Sequence, residues 1–234
     1  MEKQKGYIVV IDGTDGCGKQ TQSKELLKRL TEMGYKVKMQ SFPNYDSQSS
    51  GPVKMYLGGE FGDVNSLDPY QASSLYAIDR LCTYNKDLKN FYEDGGILIL
   101  DRYTQANMIH QAGKAKSMQE VDVLLDWLND FEFGTLKLPK PDRVFFLDVP
   151  VEVSLKLMEE RGIHKTGTVK DIHEQDPNHL KHAYNAGKYV GNKFGWDILE
   201  CTNNGKLKSV EAISEMIWER VKLDLEKDNS MSSM

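Results

Sequence analysis

The chain has 234 residues, of which 39% are hydrophobic and 28% are charged, and its formal net charge at pH 7 is −5. This length suits a single domain with a sizeable core, and the composition is that of an ordinary globular protein. The negative net charge argues against nucleic acid as the main partner, because a phosphate backbone attracts a basic surface. We therefore expect one domain, residues 1–234, in which any anion site is local.

The cysteines and the N-terminus bear on the compartment. Cys17, Cys82 and Cys201 are scattered without a Cys-x-x-Cys pair, as reduced thiols in a cytosol usually are. The N-terminal segment MEKQKGYIVVID contains basic residues, but its apolar run is too short for a signal peptide or a membrane span. These features predict a cytoplasmic protein without a membrane partner.

The first predicted strand is the apolar run 8–11, which leads directly into the glycine-rich segment GTDGCGK and then into a helical pattern. This context is typical of a P-loop, whose glycines let successive backbone N–H groups curl around a phosphate. The start of the helix and the charge of Lys19 favour the same anion. The predicted nucleoside triphosphate site consists of Gly13, Thr14, Asp15, Gly16, Cys17, Gly18, Lys19, Gln20 and Thr21.

One position departs from the P-loop pattern, which places a hydroxyl after the lysine to ligate Mg²⁺. Gln20 stands there, and Thr21 follows it. The phosphate cradle is unaffected, and only the protein ligand of the magnesium changes. The alternative is a glycine-rich turn that merely links a strand to a helix.

Further strands and helices alternate along the chain. Strands are predicted at 36–42, 97–101, 143–149 and 196–201, and helices at 68–88, 104–131, 151–161, 180–194 and 210–223. Residues 42–52 are rich in turn formers and predict a loop, and 163–176 have no apolar face, which predicts a mobile lid at about 161–176. The tail, about 226–234, is predicted to be disordered. This alternation predicts an α/β fold with a parallel sheet covered by helices on both faces.

Ligands of such sheets bind at the carboxyl ends of the strands, where the P-loop and the segment Asp101-Arg102-Tyr103 both lie. A carboxylate at Asp101 can hold Mg²⁺, and the guanidinium of Arg102 can fork two phosphate oxygens. The alternative is a solvated strand end with a helix-capping aspartate.

Two further patterns each have an ordinary interpretation. Tyr76 and Arg80 are four residues apart on one helix face, which suits a nucleobase, although an amphipathic helix with a packed tyrosine is commoner. Four histidines cluster at 164, 173, 179 and 182, but no cysteine or carboxylate pair completes a metal site. Solvated lid residues are the default interpretation of that cluster.

Several segments, in this order and spacing, resemble the thymidylate kinase family over about residues 5–225: GTDGCGKQTQ, SFPNY, LYAIDR, LDRY, NMIHQ, PDRVFFLDVP and EERG. The resemblance implies a P-loop NTPase-type fold of three layers, with a five-stranded parallel sheet in one domain, a mobile lid, and a homodimer. It also implies phosphoryl transfer from ATP with Mg²⁺ to dTMP, which gives ADP and dTDP for nucleotide biosynthesis.

The resemblance also implies roles for residues around the acceptor. Asp15 corresponds to the acid that meets the 3′-hydroxyl of the substrate sugar. Arg102 would hold the acceptor phosphate near the γ-phosphate, with Asp101 at the magnesium. Tyr103 resembles the ring that leaves no room for a 2′-hydroxyl.

For the two bases, the resemblance implies a thymine pocket and an adenine site. The thymine pocket would be formed by Phe42, Tyr76, Arg80, Asn107 and Gln111, of which the last two read the base edge. Arg161 matches an arginine near adenine, and Thr202 belongs to the loop on the other side of adenine. The chain departs from the family at Asp12, Ala106 and His110, where Glu, Ser and an aromatic ring are usual.

The P-loop contains no cation between Gly13 and Lys19 to meet the charge that develops on the γ-phosphate. Members of this family supply that charge from the P-loop or from the lid. We therefore expect Lys165 or Lys170 in the lid to be catalytic, and the alternative is that both are solvated.

Two other functions remain open at this stage. A deoxynucleoside kinase shares the P-loop and the sheet but usually has a carboxylate base after the second strand, where Asp46 is the only acid of FPNYD. A nucleotide-binding switch without turnover is the second alternative.

Overall fold

The computed structural model describes residues 5–63, 66–160 and 178–232, with side chains as far as Lys227. Its centre is a five-stranded parallel sheet in the order β2-β3-β1-β4-β5. The strands are β1 Tyr7–Asp12, β2 Val37–Ser41, β3 Ile97–Asp101, β4 Arg143–Asp148 and β5 Asp197–Glu200. The predicted fold class is thus confirmed, and the predicted lid at 161–176 lies outside the described residues.

Helices connect these strands and cover both faces of the sheet. They are α1 Lys19–Glu32, α2 Gly51–Leu57, α3 Pro69–Thr83, α4 Lys89–Glu93, α5 Thr104–Ala112, α6 Met118–Asn129, α7 Val151–Glu160, α8 His179–Phe194 and α9 Val210–Ser232. Two π-helical segments, Tyr84–Leu88 and Asp130–Thr135, follow α3 and α6. A short hairpin, β6 Thr202–Asn203 and β7 Lys206–Leu207, follows β5.

The core lies on both faces of β1, which is buried along its whole length. Val9 and Ile11 pack in a cluster with residues of α1 and α9, whereas Ile8 and Val10 pack on the opposite face with Tyr84 and Leu88. This is the alternation of a strand whose successive side chains point to opposite faces, and it explains the uninterrupted apolar run in the sequence. Because both faces are covered, the ends of the strands are where ligands have access.

The structure corrects three predictions about elements. The single helix predicted at 104–131 is two helices, because α5 is followed by Gly113 and Ser117 caps α6 by accepting a hydrogen bond from Glu120 N at 3.2 Å. A Cβ on Gly113 would lie 3.2 Å from Ala183 N, so the break also lets α8 approach closely. Part of the predicted loop 42–52 begins helix α2. The predicted disordered tail is helical to Ser232.

Candidate active site

The P-loop joins β1 to α1 by a turn that needs glycine. Gly16 has φ +80, and a Cβ on it would lie 2.8 Å from the carbonyl oxygen of Ser154. Helix α1 begins at Lys19 after Gly18, which has no side chain to cap the first N–H groups. These N–H groups and the positive end of the helix dipole are left for an anion.

Lys19 is folded against this loop and is only 5% exposed. Its Nζ donates hydrogen bonds to Gly13 O at 2.9 Å and Thr14 O at 2.7 Å, and it lies 3.9 Å from Asp15 Oδ1. The ammonium group is therefore held at the mouth of the loop, where a bound phosphate would meet it.

Two carboxylates at the ends of neighbouring strands are candidates for holding Mg²⁺. Asp12 Oδ1 accepts a hydrogen bond from Gly13 N at 2.8 Å, and Asp101 Oδ2 accepts one from Ser41 Oγ at 3.3 Å. The second oxygen of each, Asp12 Oδ2 and Asp101 Oδ1, is buried without a hydrogen-bond partner among the described residues. Burial raises the pKa of Asp12 to about 6, although Lys19 opposes the shift. Gln20 is exposed.

These two unpartnered oxygens fit a hard cation, which prefers carboxylate oxygens. No group of three or more histidine, cysteine or acidic side chains suited to a metal occurs in the described ranges 5–63, 66–160 and 178–232. A magnesium ion here would therefore take its other ligands from phosphates and water.

Arg102 connects the end of β3 to the P-loop. Its backbone is in the left-handed region, with φ 65, which is strained for an arginine, and its N–H donates to Ile11 O at 3.2 Å. The guanidinium is ion-paired with Asp15. Burial acts to raise the pKa of Asp15, but the positive charges of Arg102 and Lys19 prevail and hold it below the usual range. An acid and two cations are thus gathered in front of the P-loop.

A pair of histidines adjoins this group. His110 Nδ1 lies 3.2 Å from His179 Nε2, and the two rings are stacked with centroids 5.3 Å apart. Burial lowers the pKa of His110 well below its usual value, although Asp15 opposes the shift. His110 is one of the positions at which the chain departs from the family, but its pairing with His179 was not predicted from the sequence.

Phe42 and Tyr103 lie side by side, just after the ends of β2 and β3. Their ring centroids are 5.9 Å apart, and both residues are buried. The hydroxyl of Tyr103 donates to Pro139 O at 3.2 Å, and the ring also lies near Phe133. Tyr76, on α3, packs edge-on to Tyr56 with centroids 6.3 Å apart.

The loop that carries Phe42 is held by Asp79, for which the sequence pattern predicts no role. The bond between Phe42 and Pro43 is cis. Asp79 accepts hydrogen bonds from Asn44 N at 2.8 Å and from Ser49 Oγ at 2.6 Å. A buried carboxylate of helix α3 thereby holds the loop after β2 in place.

The sequence placed Arg80 in a nucleobase pocket. In the structure its guanidinium is buried in an ion pair, so only part of it is available to a base. Its Nε and Nη2 donate to the two carboxylate oxygens of Glu132, each at 2.6 Å. Asn107 Nδ2 donates to the same carboxylate at 3.1 Å, and Gln111 is buried nearby on α5, with Oε1 unpartnered among the described residues. The sequence did not predict Glu132 as a site residue, because it is 52 residues from Arg80 and directly follows a stretch with an ordinary helical pattern.

Of the two residues predicted to flank adenine, the structure describes Thr202 but not Arg161. Thr202 is 9% exposed and lies in the hairpin after β5, at the position where the resemblance implied a loop beside adenine. Arg161, Lys165 and Lys170 lie outside the described residues, so their predicted roles remain predictions.

Comparisons with known proteins converge on one family. The family model described as thymidylate kinase matches residues 11–189. The chain is 28% identical over 170 residues to the thymidylate kinase of Mycobacterium tuberculosis, covering 72% of this chain and 78% of that one. It is 31% identical over 161 residues to a probable thymidylate kinase of Thermococcus gammatolerans, covering 68% and 73%.

A solved structure shares the fold. The thymidylate kinase from Candida albicans superimposes with a TM-score of 0.68 at 21% identity, covering 96% of this chain and 93% of that chain. In addition, no described helix combines the length and apolarity that a bilayer span needs.

Proposed function

The chain belongs to the thymidylate kinase family, and we propose from this premise that it transfers the γ-phosphoryl group of ATP to dTMP, giving ADP and dTDP. The observation that carries the proposal is the convergence of Lys19, Asp15 and Arg102 at the ends of β1 and β3. A phosphate donor in the P-loop and a phosphate acceptor at Arg102 would then face each other across a short gap.

In this reaction the protein mainly positions groups and neutralises charge. The transition state of phosphoryl transfer spreads negative charge over the transferred group, so aligned cations and N–H donors supply most of the catalysis. Lys19 and the P-loop amides would bind the β and γ phosphates. Arg102 would exchange its ion pair with Asp15 for contacts with the acceptor phosphate. Asp15 would then be available to the 3′-hydroxyl of the sugar. A general base is unnecessary, because the acceptor is already an anion.

Mg²⁺ bound with ATP would neutralise charge on the β and γ phosphates. Asp101 and Asp12 would hold it directly or through water, since each keeps one buried oxygen without a partner among the described residues. This arrangement compensates for Gln20, which supplies no hydroxyl.

We further propose a cytoplasmic homodimer. The three cysteines are free thiols, as expected in a reducing compartment. The adjacent helices α3 and α6 expose large apolar side chains, namely Tyr70, Ile78, Met118 and Val123. Apolar surface of this kind commonly marks an interface, and a second copy of the chain would cover it. The mass in solution, measured by light scattering across a dilution series, tests this.

The reaction is tested by measuring ATP consumption with a panel of acceptors, with and without Mg²⁺. The panel contains dTMP, dUMP, dCMP, UMP, AMP and the nucleoside thymidine. We expect dTMP to give the highest kcat/KM and thymidine to give no turnover. Turnover of thymidine alone would point to a deoxynucleoside kinase. The candidate base for that reaction would be Asp46, the acid after β2, whose side chain is exposed. Tight nucleotide binding without turnover of any acceptor would point to a switch protein.

A further inference from the structure

The carboxylate of Glu132 is the centre of a buried polar cluster. Glu132 is 0% exposed and forms the ion pair with Arg80, which is 2% exposed. Its Oε2 also accepts from Thr104 Oγ1 at 2.8 Å, and its Oε1 from Asn107 Nδ2 at 3.1 Å. Four hydrogen bonds saturate the carboxylate, and the guanidinium balances its charge. A buried charge that is paired and fully hydrogen-bonded holds its partners in one geometry.

This cluster fixes which way the amide of Asn107 points. Nδ2 lies 3.1 Å from Ser73 O and 3.1 Å from Glu132 Oε1. Both of these atoms are acceptors only, so the NH₂ group must face them and Oδ1 must face the other side. In the described part of the chain, Oδ1 receives no hydrogen bond, so Asn107 presents an acceptor.

The same cluster limits what Arg80 can offer. Nε and Nη2 are engaged by Glu132. The third nitrogen, Nη1, has no hydrogen-bond partner among the residues described here, and it is always protonated because guanidinium keeps its charge in proteins. Arg80 therefore presents a donor, at a position fixed by two short bonds to Glu132.

We propose that Glu132 is a positioning residue that makes the pocket selective for a pyrimidine with a 4-oxo group. The inference rests on the proposed function and on the thymine pocket that the family resemblance implies, in which Asn107 and Arg80 meet the base. Thymine and uracil donate from N3–H and accept at O4, which complements an acceptor at Asn107 Oδ1 and a donor at Arg80 Nη1. Cytosine has the reverse pattern, an acceptor at N3 and an amino donor at C4. A site that pairs with one pattern rejects the other strongly, because its buried polar groups are left unpaired.

The test is Glu132→Gln, which keeps the shape of the side chain but puts an N–H group among donors. For each protein, kcat/KM is measured for dTMP and dCMP, together with the KM for ATP and the Tm. We expect the ratio of dTMP to dCMP to fall by about tenfold or more, with a raised KM for dTMP and an unchanged KM for ATP. The matched control is Asp224→Asn, which breaks another arginine–carboxylate pair, with Arg143, away from the crevice. It should lower the Tm and leave the ratio unchanged.

Thr104→Val covers the case in which Glu132→Gln fails to fold. This change removes only one hydrogen bond to Glu132 Oε2 and keeps the size of the side chain. A shift of the carboxylate should lower the dTMP to dCMP ratio by roughly threefold, in line with the modest worth of one hydrogen bond.

If the unmutated protein does not phosphorylate dTMP, the proposed function is wrong, and the inference about Glu132 is wrong with it. If the unmutated protein prefers dTMP and the folded variants keep the full preference at a lowered Tm, Glu132 is purely structural and only this inference is overturned.

Discussion

The guanidinium of Arg102 is ion-paired with the carboxylate of Asp15, although the two residues are 87 positions apart in sequence. The pair bridges the end of β3 and the P-loop, which is where donor and acceptor phosphates would meet. The pair neutralises the charge of Arg102 and keeps its side chain directed at the P-loop. On binding, an acceptor phosphate would take over one side of the guanidinium.

Arg102→Lys is expected to lower kcat/KM for dTMP by about 100-fold or more, because an ammonium group keeps the charge but cannot fork two phosphate oxygens. The KM for ATP should change little, since the P-loop is intact. Steady-state kinetics with each substrate varied provides the measurement. Arg29→Lys, at the pair with Glu215 on the surface, is the control. An Arg102→Lys enzyme with normal kcat/KM would show that Arg102 does not hold the acceptor.

Lys19→Ala is expected to reduce kcat by about 100-fold or more, because it removes the charge next to the transferring phosphate. The protein should still fold but with a lowered Tm, since the lost contacts are two hydrogen bonds to carbonyl oxygens of the loop and the ion pair with Asp15. Lys24→Ala, an exposed position on the same helix, is the matched control. Near-normal kcat in a folded Lys19→Ala protein contradicts the assignment.

The sugar preference is expected to favour dUMP over UMP, with Tyr103 as the proposed ring that crowds C2′. Tyr103→Phe should keep most of this preference, because the ring and not the hydroxyl excludes the extra oxygen. It should also lower the free energy of unfolding by about 1 kcal/mol, from the lost hydrogen bond to Pro139 O. Competition assays with both nucleotides measure the preference, and equal use of UMP and dUMP by the unmutated protein refutes it.

The lid lysines, Lys165 and Lys170, are expected to supply a second cation at the γ-phosphate, because the P-loop has none between Gly13 and Lys19. At least one of the changes Lys165→Ala and Lys170→Ala should lower kcat by more than it raises the KM for ATP, since the contact matters most in the transition state. The double variant should lose the most. If kcat of all three proteins stays within about threefold of the parent, less than ~1 kcal/mol, the lid lysines are not catalytic.

Stability is expected to fall in acid through Asp224, which accepts hydrogen bonds from Arg143 Nη2 at 2.8 Å and Tyr7 at 2.7 Å. Although burial opposes the change, these bonds lower the pKa of Asp224 in the folded protein. The folded state therefore holds its proton less tightly than the unfolded chain. The resulting stability is present above about pH 4, the unfolded pKa, and is lost as the pH falls through the folded pKa.

Urea unfolding at pH 7 and at about pH 3 measures this contribution. Asp224→Asn should cost roughly 1–3 kcal/mol at pH 7 and make the free energy of unfolding less dependent on pH in acid. Glu215→Gln, at the more exposed pair with Arg29, should change the free energy of unfolding by less than about 1 kcal/mol. Parallel acid profiles of Asp224→Asn and the unmutated protein would argue against the role of Asp224.

The sequence by itself determined the strands, the P-loop and the class of reaction. The apolar run of β1 and the glycines after it act within a few positions, so the local pattern is enough to predict them. The end of β3 was likewise identified from its charged residues, and parallel strands dictate that their carboxyl ends share one edge. Asp15, Lys19 and Arg102 could therefore be predicted to converge.

The tertiary structure alone decided which polar groups are paired. Glu132 reaches Arg80 because a π-helical segment after α6 turns it into the core next to α3 and α5, and nothing local to Glu132 signals that placement. The stacking of His110 with His179 likewise depends on the approach of α5 to α8, which Gly113 permits. Burying a charge is costly unless a partner is at hand, and the identity of that partner depends on how distant elements pack.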